Sequence, residues 1–94
     1  MKIVDIEIKL DTRQKLLWKH QVTEQEVRPG LRNRPKIRFH QRGKVKGEDL
    51  YIALSQTNAR RYLTVFFIHK ISRVALVISA RDMSSSERGR YAQK

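Results

Sequence analysis

The sequence contains no cysteine, only four glycines and two prolines, and nine acidic residues among its 94. Without cysteine, disulfides and thiolate metal sites are excluded. Long apolar runs are also missing: Val65–Ile68 and Val74–Ile78 are the longest, far short of the ~20 residues that cross a bilayer. No basic segment precedes an apolar run near the first residue, so we expect no secretion signal, no membrane contact and a cytoplasmic location.

The scarcity of acidic residues leaves a large positive charge. Lysine and arginine total 21, and the formal net charge is +12. Such an excess favours a polyanionic partner, RNA first, although an acidic protein partner or a merely solvated surface would also account for it. Hydrophobic residues make up 39% of the chain, enough for a folded core, and the length predicts a single domain over residues 1–94.

The first third of the chain predicts one strand and two helices. Apolar and acidic residues alternate over Ile3–Ile8 with the period of a half-buried strand. Asp11 is predicted to cap a helix over Thr12–His20. Thr23–Glu26 has the form of a capping box and predicts a second, short helix that Pro29–Gly30 ends.

The remainder predicts strands and a last helix. In the basic stretch Arg32–Arg42, cations alternate with Ile37 and Phe39, which predicts a strand with one charged face. A basic loop is expected at Gly43–Gly47. Three further strands are expected over Leu50–Leu54, Tyr62–His69 and Arg73–Ala80.

A second capping box stands at Ser84–Glu87 and predicts a C-terminal helix through Tyr91 that frays into Gln93 and Lys94. Together these elements predict an α+β domain. Its N-terminal helices would pack on a mostly antiparallel sheet of about four strands, followed by the C-terminal helix.

Four residues could carry chemistry because of where they stand. Lys19 and His20 end the first predicted helix, where the helix dipole alone explains cations; the functional alternative is a proton carrier beside a phosphate-binding lysine. Arg61 precedes a predicted strand and Arg81 directly follows one. Arginine matches phosphate with a bidentate fork, although arginines at turns are commonly just solvated.

Two further groups of candidates lie in the last helix and in the middle of the chain. Arg88 and Tyr91 are helical neighbours beside Glu87, either as a site or as a surface cation and a packed aromatic. The densest basic band, residues 32–46, predicts the surface that docks RNA. Its cations are Arg32, Arg34, Lys36, Arg38, Arg42, Lys44 and Lys46.

The sequence contains no pattern that is typical of a metal site or a cofactor site. His20, His40 and His69 lack carboxylate or cysteine partners at ligand spacing, so we expect no metal and no cofactor. There is no glycine-rich phosphate loop and no supported Ser/His/Asp pattern. Metal-independent RNA cleavage fits better, because it needs only preorganised cations and one or two proton carriers.

Four segments resemble one known family. Lys19–Val27 is similar to the Lys-His-Gly-Val-Ser/Thr-x-x-Glu-Val segment of BrnT-family toxins, and Arg42–Tyr51 resembles their middle segment. Arg61–Phe67 looks like their Arg-x-Leu-x-Val-x-Phe strand. Ile78–Tyr91 resembles the family's Ser-Ala-Arg…Glu-Arg-x-x-Tyr ending, the most specific part. The resemblance runs over roughly residues 16–91.

The resemblance implies a RelE-like fold and a type II toxin that cleaves RNA and arrests translation. It also implies a BrnA-type antitoxin that binds the toxin and contacts DNA, so that DNA is a partner only indirectly. The catalytic candidates it implies are Lys19, His20, Arg61, Arg81, Arg88 and Tyr91. A module that binds RNA or an antitoxin without catalysis remains the alternative, and a DNA-binding regulator is a weaker one because no helix-turn-helix pattern is found.

The sequence departs from the family at three positions. The family usually has glycine where Gln21, Ser55 and Arg60 stand. Glycine at the end of a helix favours the left-handed conformation. The departures therefore bear on the end of the first helix and on the turn that positions Arg61.

Overall fold

The computed structural model describes residues 1–93, which form five strands and three helices. The strands are β1 (Asp5–Glu7), β2 (Lys36–Val45), β3 (Glu48–Gln56), β4 (Tyr62–His69) and β5 (Val74–Asp82), and the helices are α1 (Leu10–His20), α2 (Glu24–Arg32) and α3 (Ser85–Ala92). The strands make one sheet in the order β1-β5-β4-β3-β2. Only β1 and β5 are parallel. The α+β prediction is confirmed, with five strands rather than about four because the short β1 joins the sheet edge.

Helix α1 begins earlier than predicted. Its first residue is Leu10, and Lys9 at the N-cap makes no side-chain cap hydrogen bond, so the prediction that Asp11 caps the helix is wrong. Asp11 lies in the first turn, where a negative charge is favoured by the helix dipole.

No helix within residues 1–93 is long and apolar enough to span a membrane.

Helix α2 runs through Pro29 and Gly30 to Arg32, so the prediction that these two residues end it is wrong. The packing of one helix face explains why: Val27, Gly30 and Leu31 are buried. Tertiary burial of that face outweighs the weak helix propensity of the two breakers.

The predicted loop over Gly43–Gly47 is replaced by a tight hairpin. Strand β2 continues to Val45, which pairs with Glu48 across a turn that contains Gly47 with a φ of +83°. A side chain at Gly43 would collide with the Glu48 backbone carbonyl. The hairpin therefore requires glycine at both positions, and of the basic residues between them Lys44 lies in β2 and Lys46 in the turn.

The last helix matches its prediction closely. Ser84 caps α3 and accepts a hydrogen bond from the Glu87 N–H, as the capping box predicts. Lys94, where the fraying end was expected to finish, lies outside the described residues.

The two faces of the sheet differ in what covers them. On the first, which we call the helix-covered face, Leu16 and Val27 from α1 and α2 pack with Val65 and Phe67 of β4. The opposite face, which we call the open face, carries a smaller cluster in which Ile52, Leu54 and Met83 meet α3 at one end. Most of the hydrophobic core is therefore on one side, and the other side is less covered.

Ser55 of β3 has a buried hydroxyl that finds no hydrogen-bond partner among the residues the structure describes. A buried, unsatisfied hydroxyl costs about 1–3 kcal/mol. We therefore expect Ser55→Ala to raise the free energy of unfolding by about 1 kcal/mol in urea titrations. Thr64→Val is the matched control. The Thr64 hydroxyl is equally buried but donates to Glu87 at 3.0 Å, so this change should lower stability, and equal effects of both would contradict the account.

Candidate nucleic-acid interface

Two cross-strand rows of the open face bring together cations and aromatics that are distant in sequence. Residues paired across antiparallel strands point to the same side of the sheet. One row consists of Lys36, Leu54, Thr64 and Arg81, and the next of Arg38, Ile52, Phe66 and Ser79. The middle strands are thus mostly apolar, β2 supplies a cation to each row, and β5 supplies Arg81 to one of them.

Arg81 is held on this floor by Glu87 of α3. Its guanidinium donates to both carboxylate oxygens, at 2.7 and 3.0 Å, and the same carboxylate accepts from the Thr64 hydroxyl and from the Ser84 N–H. These bonds, the Arg81 one foremost, lower the pKa of Glu87 to about 2. Glu87 therefore fastens the start of α3 to the sheet and fixes the direction of Arg81.

Arg88 and Tyr91 lie beside the same site. The Arg88 guanidinium is 4.4 Å from the centre of the Tyr62 ring, and the Tyr62 and Tyr91 rings meet edge to face at 6.0 Å. Lys36 Nζ is 5.8 Å from the Tyr91 ring and donates to the carbonyl of Gln93. Tyr62, Arg88 and Tyr91 thus line one shallow groove with Lys36 beside it, an arrangement that could hold a phosphate and move protons.

Phe66 lies at the centre of the open face, half-buried. The His40 ring meets it edge to face at 5.9 Å, and the Arg81 guanidinium is 5.4 Å from its centre. His40 itself is exposed. The sequence considered alone raised His40 only as a possible metal ligand and did not single out Phe66.

Lys19, His20 and Arg61 lie on the other side of the sheet end. Asp82 and Arg81 are neighbours on β5 and point to opposite faces, and the Asp82 carboxylate binds Arg61 at 2.7 and 3.2 Å. Arg61 also donates to the backbone carbonyl of His20 at 3.1 Å. The six predicted catalytic residues are therefore divided by the sheet into two groups of three.

The Arg61 guanidinium is held by hydrogen bonds to other residues of the protein. It reaches Asp82, the Glu26 carboxylate at 3.2 Å and the carbonyl of Gln21 at 2.7 Å. Its hydrogen bond is the largest cause of the lowered pKa of Asp82. Carbonyls at a helix C-terminus have no intrahelical donor, so Arg61 closes the end of α1 and links it to α2 and β5. Neither Glu26 nor Asp82 was singled out as a site residue from sequence.

The predicted basic band does not form one surface. Arg32 and Arg34 line one groove beside the N-terminus and Pro35, and Arg32 also pairs with Asp5 at 3.9 Å. Lys36 and Arg38 face the open side. Further along, Arg42 and Lys44 line a groove of about 390 Å³ together with Leu50 and Ile68, while Lys46 lies in the hairpin turn. Only the middle and far parts of the band adjoin the open face.

Within residues 1–93, no three His, Asp or Glu side chains converge as a metal site would require. Comparison with protein-family models finds none that matches this chain, and a search of proteins with curated functions finds no significant sequence match.

Proposed function

We propose that this protein is a ribonuclease toxin of a type II toxin–antitoxin system, with a RelE-like fold, that binds RNA on the open face and cleaves it without a metal. The observation that carries the proposal is the groove lined by Tyr62, Arg88 and Tyr91, with Lys36 against the Tyr91 ring and the anchored Arg81 on the same face of the sheet. A groove that brings an arginine and two phenols together, with further cations on the same face, offers charge for a phosphate and groups that can exchange protons.

The chemistry such a groove could support is transesterification. The RNA 2′-oxygen attacks the adjacent phosphorus while a base takes its proton, and the bond from phosphorus to the 5′-oxygen breaks as that oxygen is protonated. The products are a 2′,3′-cyclic phosphate and a 5′-hydroxyl. Arg81 and Arg88 would stabilise the charge on the pentavalent transition state, and Tyr91 or His40 would carry protons.

The backbone conformation at two positions supports the proposed similarity to BrnT-family toxins. Gln21 and Arg60 have left-handed φ values of 51° and 68°, a conformation that glycine adopts without strain. Both stand where the family usually has glycine. The local conformations that glycine would serve are retained, even though the residues differ.

The test of the proposal is RNA cleavage by purified protein in the presence of EDTA. We expect products that end in a 2′,3′-cyclic phosphate, and arrested growth when the protein is expressed without its antitoxin. Arg88→Gln should lower the cleavage rate by about 10²-fold, since it removes transition-state charge stabilisation. Arg90→Gln removes the same charge from an exposed position of the same helix and should leave the rate unchanged.

A folded wild-type protein that leaves RNA intact and is harmless on expression would overturn the proposal. Equal rates for both arginine variants would show that the groove is not the site. The partner we propose is a BrnA-like antitoxin whose acidic surface competes with RNA for the cations; DNA would be contacted only through that partner.

One observation favours a second candidate, a module that binds RNA or an antitoxin without cleaving. Arg61 and Arg81 both already bind carboxylates of the protein itself, so neither is reserved for a substrate phosphate. This candidate predicts RNA binding that weakens steeply with salt, with no cleavage products on a gel.

A further inference from the structure

A β-bulge turns His40 toward the open face. Phe39 pairs with Tyr51 and Gln41 with Leu50, so His40 is the extra residue between two ladder positions. Its contact with Phe66, at 5.9 Å and 70°, shows which side of the sheet its ring occupies. Bulges commonly re-aim a side chain next to a functional site. The result is a pair of aromatic rings at the middle of the open face.

Cations border this pair of rings. Arg81 lies on one side, 5.4 Å from the Phe66 ring centre. Arg38 is exposed on the edge strand, in the same cross-strand row as Phe66 through Ile52. Of the two rings, His40 is exposed and Phe66 is half-buried. Cations that flank accessible aromatic rings form the arrangement by which proteins hold single-stranded nucleic acid, because the bases stack on the rings and the backbone follows the charge.

The carboxylates on this side are already neutralised. Glu87 is bound by Arg81 at 2.7 Å. Glu48, which lines the groove of Arg42 and Lys44, is bound by Lys70 at 2.9 Å. The field over Phe66 is therefore positive. This charge complements a polyanion, and the aromatic pair adds a preference for one that carries flat bases.

We infer that Phe66 and His40 form a base-stacking site for single-stranded RNA, with the neighbouring phosphates on Arg38 and Arg81. The inference rests on the proposed function and deepens it by naming how the substrate is held. A stacked base beside Arg81 would place the adjoining phosphate toward the Arg88–Tyr91 groove.

The experiment measures binding of a short single-stranded 2′-O-methyl RNA, which has no free 2′-hydroxyl and so resists cleavage. It carries one 2-aminopurine, whose fluorescence falls when the base stacks. We expect quenching by the wild type, binding about tenfold weaker in Phe66→Leu with most quenching lost, and binding a few-fold weaker in His40→Gln. A duplex of the same sequence should bind less well, since its bases are not free to stack.

The chain offers matched controls on the helix-covered face. Phe39 is 55% exposed and meets Tyr51, and His69 meets the same ring. Phe39→Leu and His69→Gln should each change binding less than about twofold, because they lie away from the stacking site. Inorganic polyphosphate, which has charge but no base, should bind Phe66→Leu as well as the wild type.

Unchanged RNA binding in Phe66→Leu would overturn the inference, as would an equal loss of RNA and polyphosphate binding. Thermal unfolding of each variant separates loss of binding from loss of fold. Failure of the proposed function is visible separately: a protein that leaves ordinary RNA intact yet binds this RNA through Phe66 retains the stacking site and loses only the cleavage.

Discussion

Replacing Arg61 by methionine is expected to lower the free energy of unfolding by roughly 1–2 kcal/mol, because it removes hydrogen bonds to two backbone carbonyls and to the half-buried Glu26 carboxylate, while the pair with Asp82, whose side chain is 66% exposed, adds little. The side chain is 27% exposed and binds two carboxylates, of Glu26 and Asp82. It also supplies the donor for two carbonyls that end α1, those of His20 and Gln21. Urea unfolding at neutral pH measures the loss.

Two further variants separate geometry from charge. Arg60→Met removes a cation from the adjacent, exposed position and should change stability by about 0.5 kcal/mol or less. Arg61→Lys keeps the charge but cannot bind Asp82 through two nitrogens while reaching both carbonyls, so it should restore less than half of the loss. If Arg60→Met costs as much as Arg61→Met, then net charge, not the network, sets the stability.

The strands could be predicted because their composition matches their burial. Tyr62–His69 is confirmed at both ends, since a central strand buried on its covered face is dense in Val, Ile and Phe. The predictions were wrong where tertiary contacts outweigh the local preferences of the sequence. Pro29 lies inside a helix whose packed face holds it, and Gly43 lies inside a strand because the hairpin brings the two backbones close.

The candidate site was less predictable for a different reason. Arg61 binds Asp82, 21 residues away, and only the antiparallel register of β4 and β5 brings them together. That register also places Arg81 and Asp82 on opposite faces, which divides residues that sequence reasoning had grouped in one site. His40 depends on a bulge. A bulge shifts the phase of the alternation, but residues 40–44 include no apolar side chain that could reveal the shift.

The carboxylate of Glu87 should make stability depend on pH. Its folded-state pKa of about 2 lies below the ordinary value of 4.5, chiefly because of the hydrogen bonds from Arg81. A carboxyl whose pKa is depressed on folding contributes stability above its unfolded pKa and loses that contribution as pH falls through the folded one. The contribution is on the order of 3 kcal/mol at pH 7, since one pKa unit corresponds to about 1.4 kcal/mol.

We therefore expect Glu87→Gln to be less stable than the wild type by about 2–3 kcal/mol at pH 7, with the difference shrinking between pH 4.5 and 2 as the wild-type carboxylate takes up its proton. Urea unfolding at pH 7, 5 and 3 follows the decline. Glu24→Gln is the control: Glu24 pairs with Arg13 at 3.4 Å on the surface, where such pairs contribute about 0–1 kcal/mol. A gap between wild type and Glu87→Gln that stays constant from pH 7 to 3 would mean that Glu87 acts through packing, and that the anchoring of Arg81 and α3 does not depend on its charge.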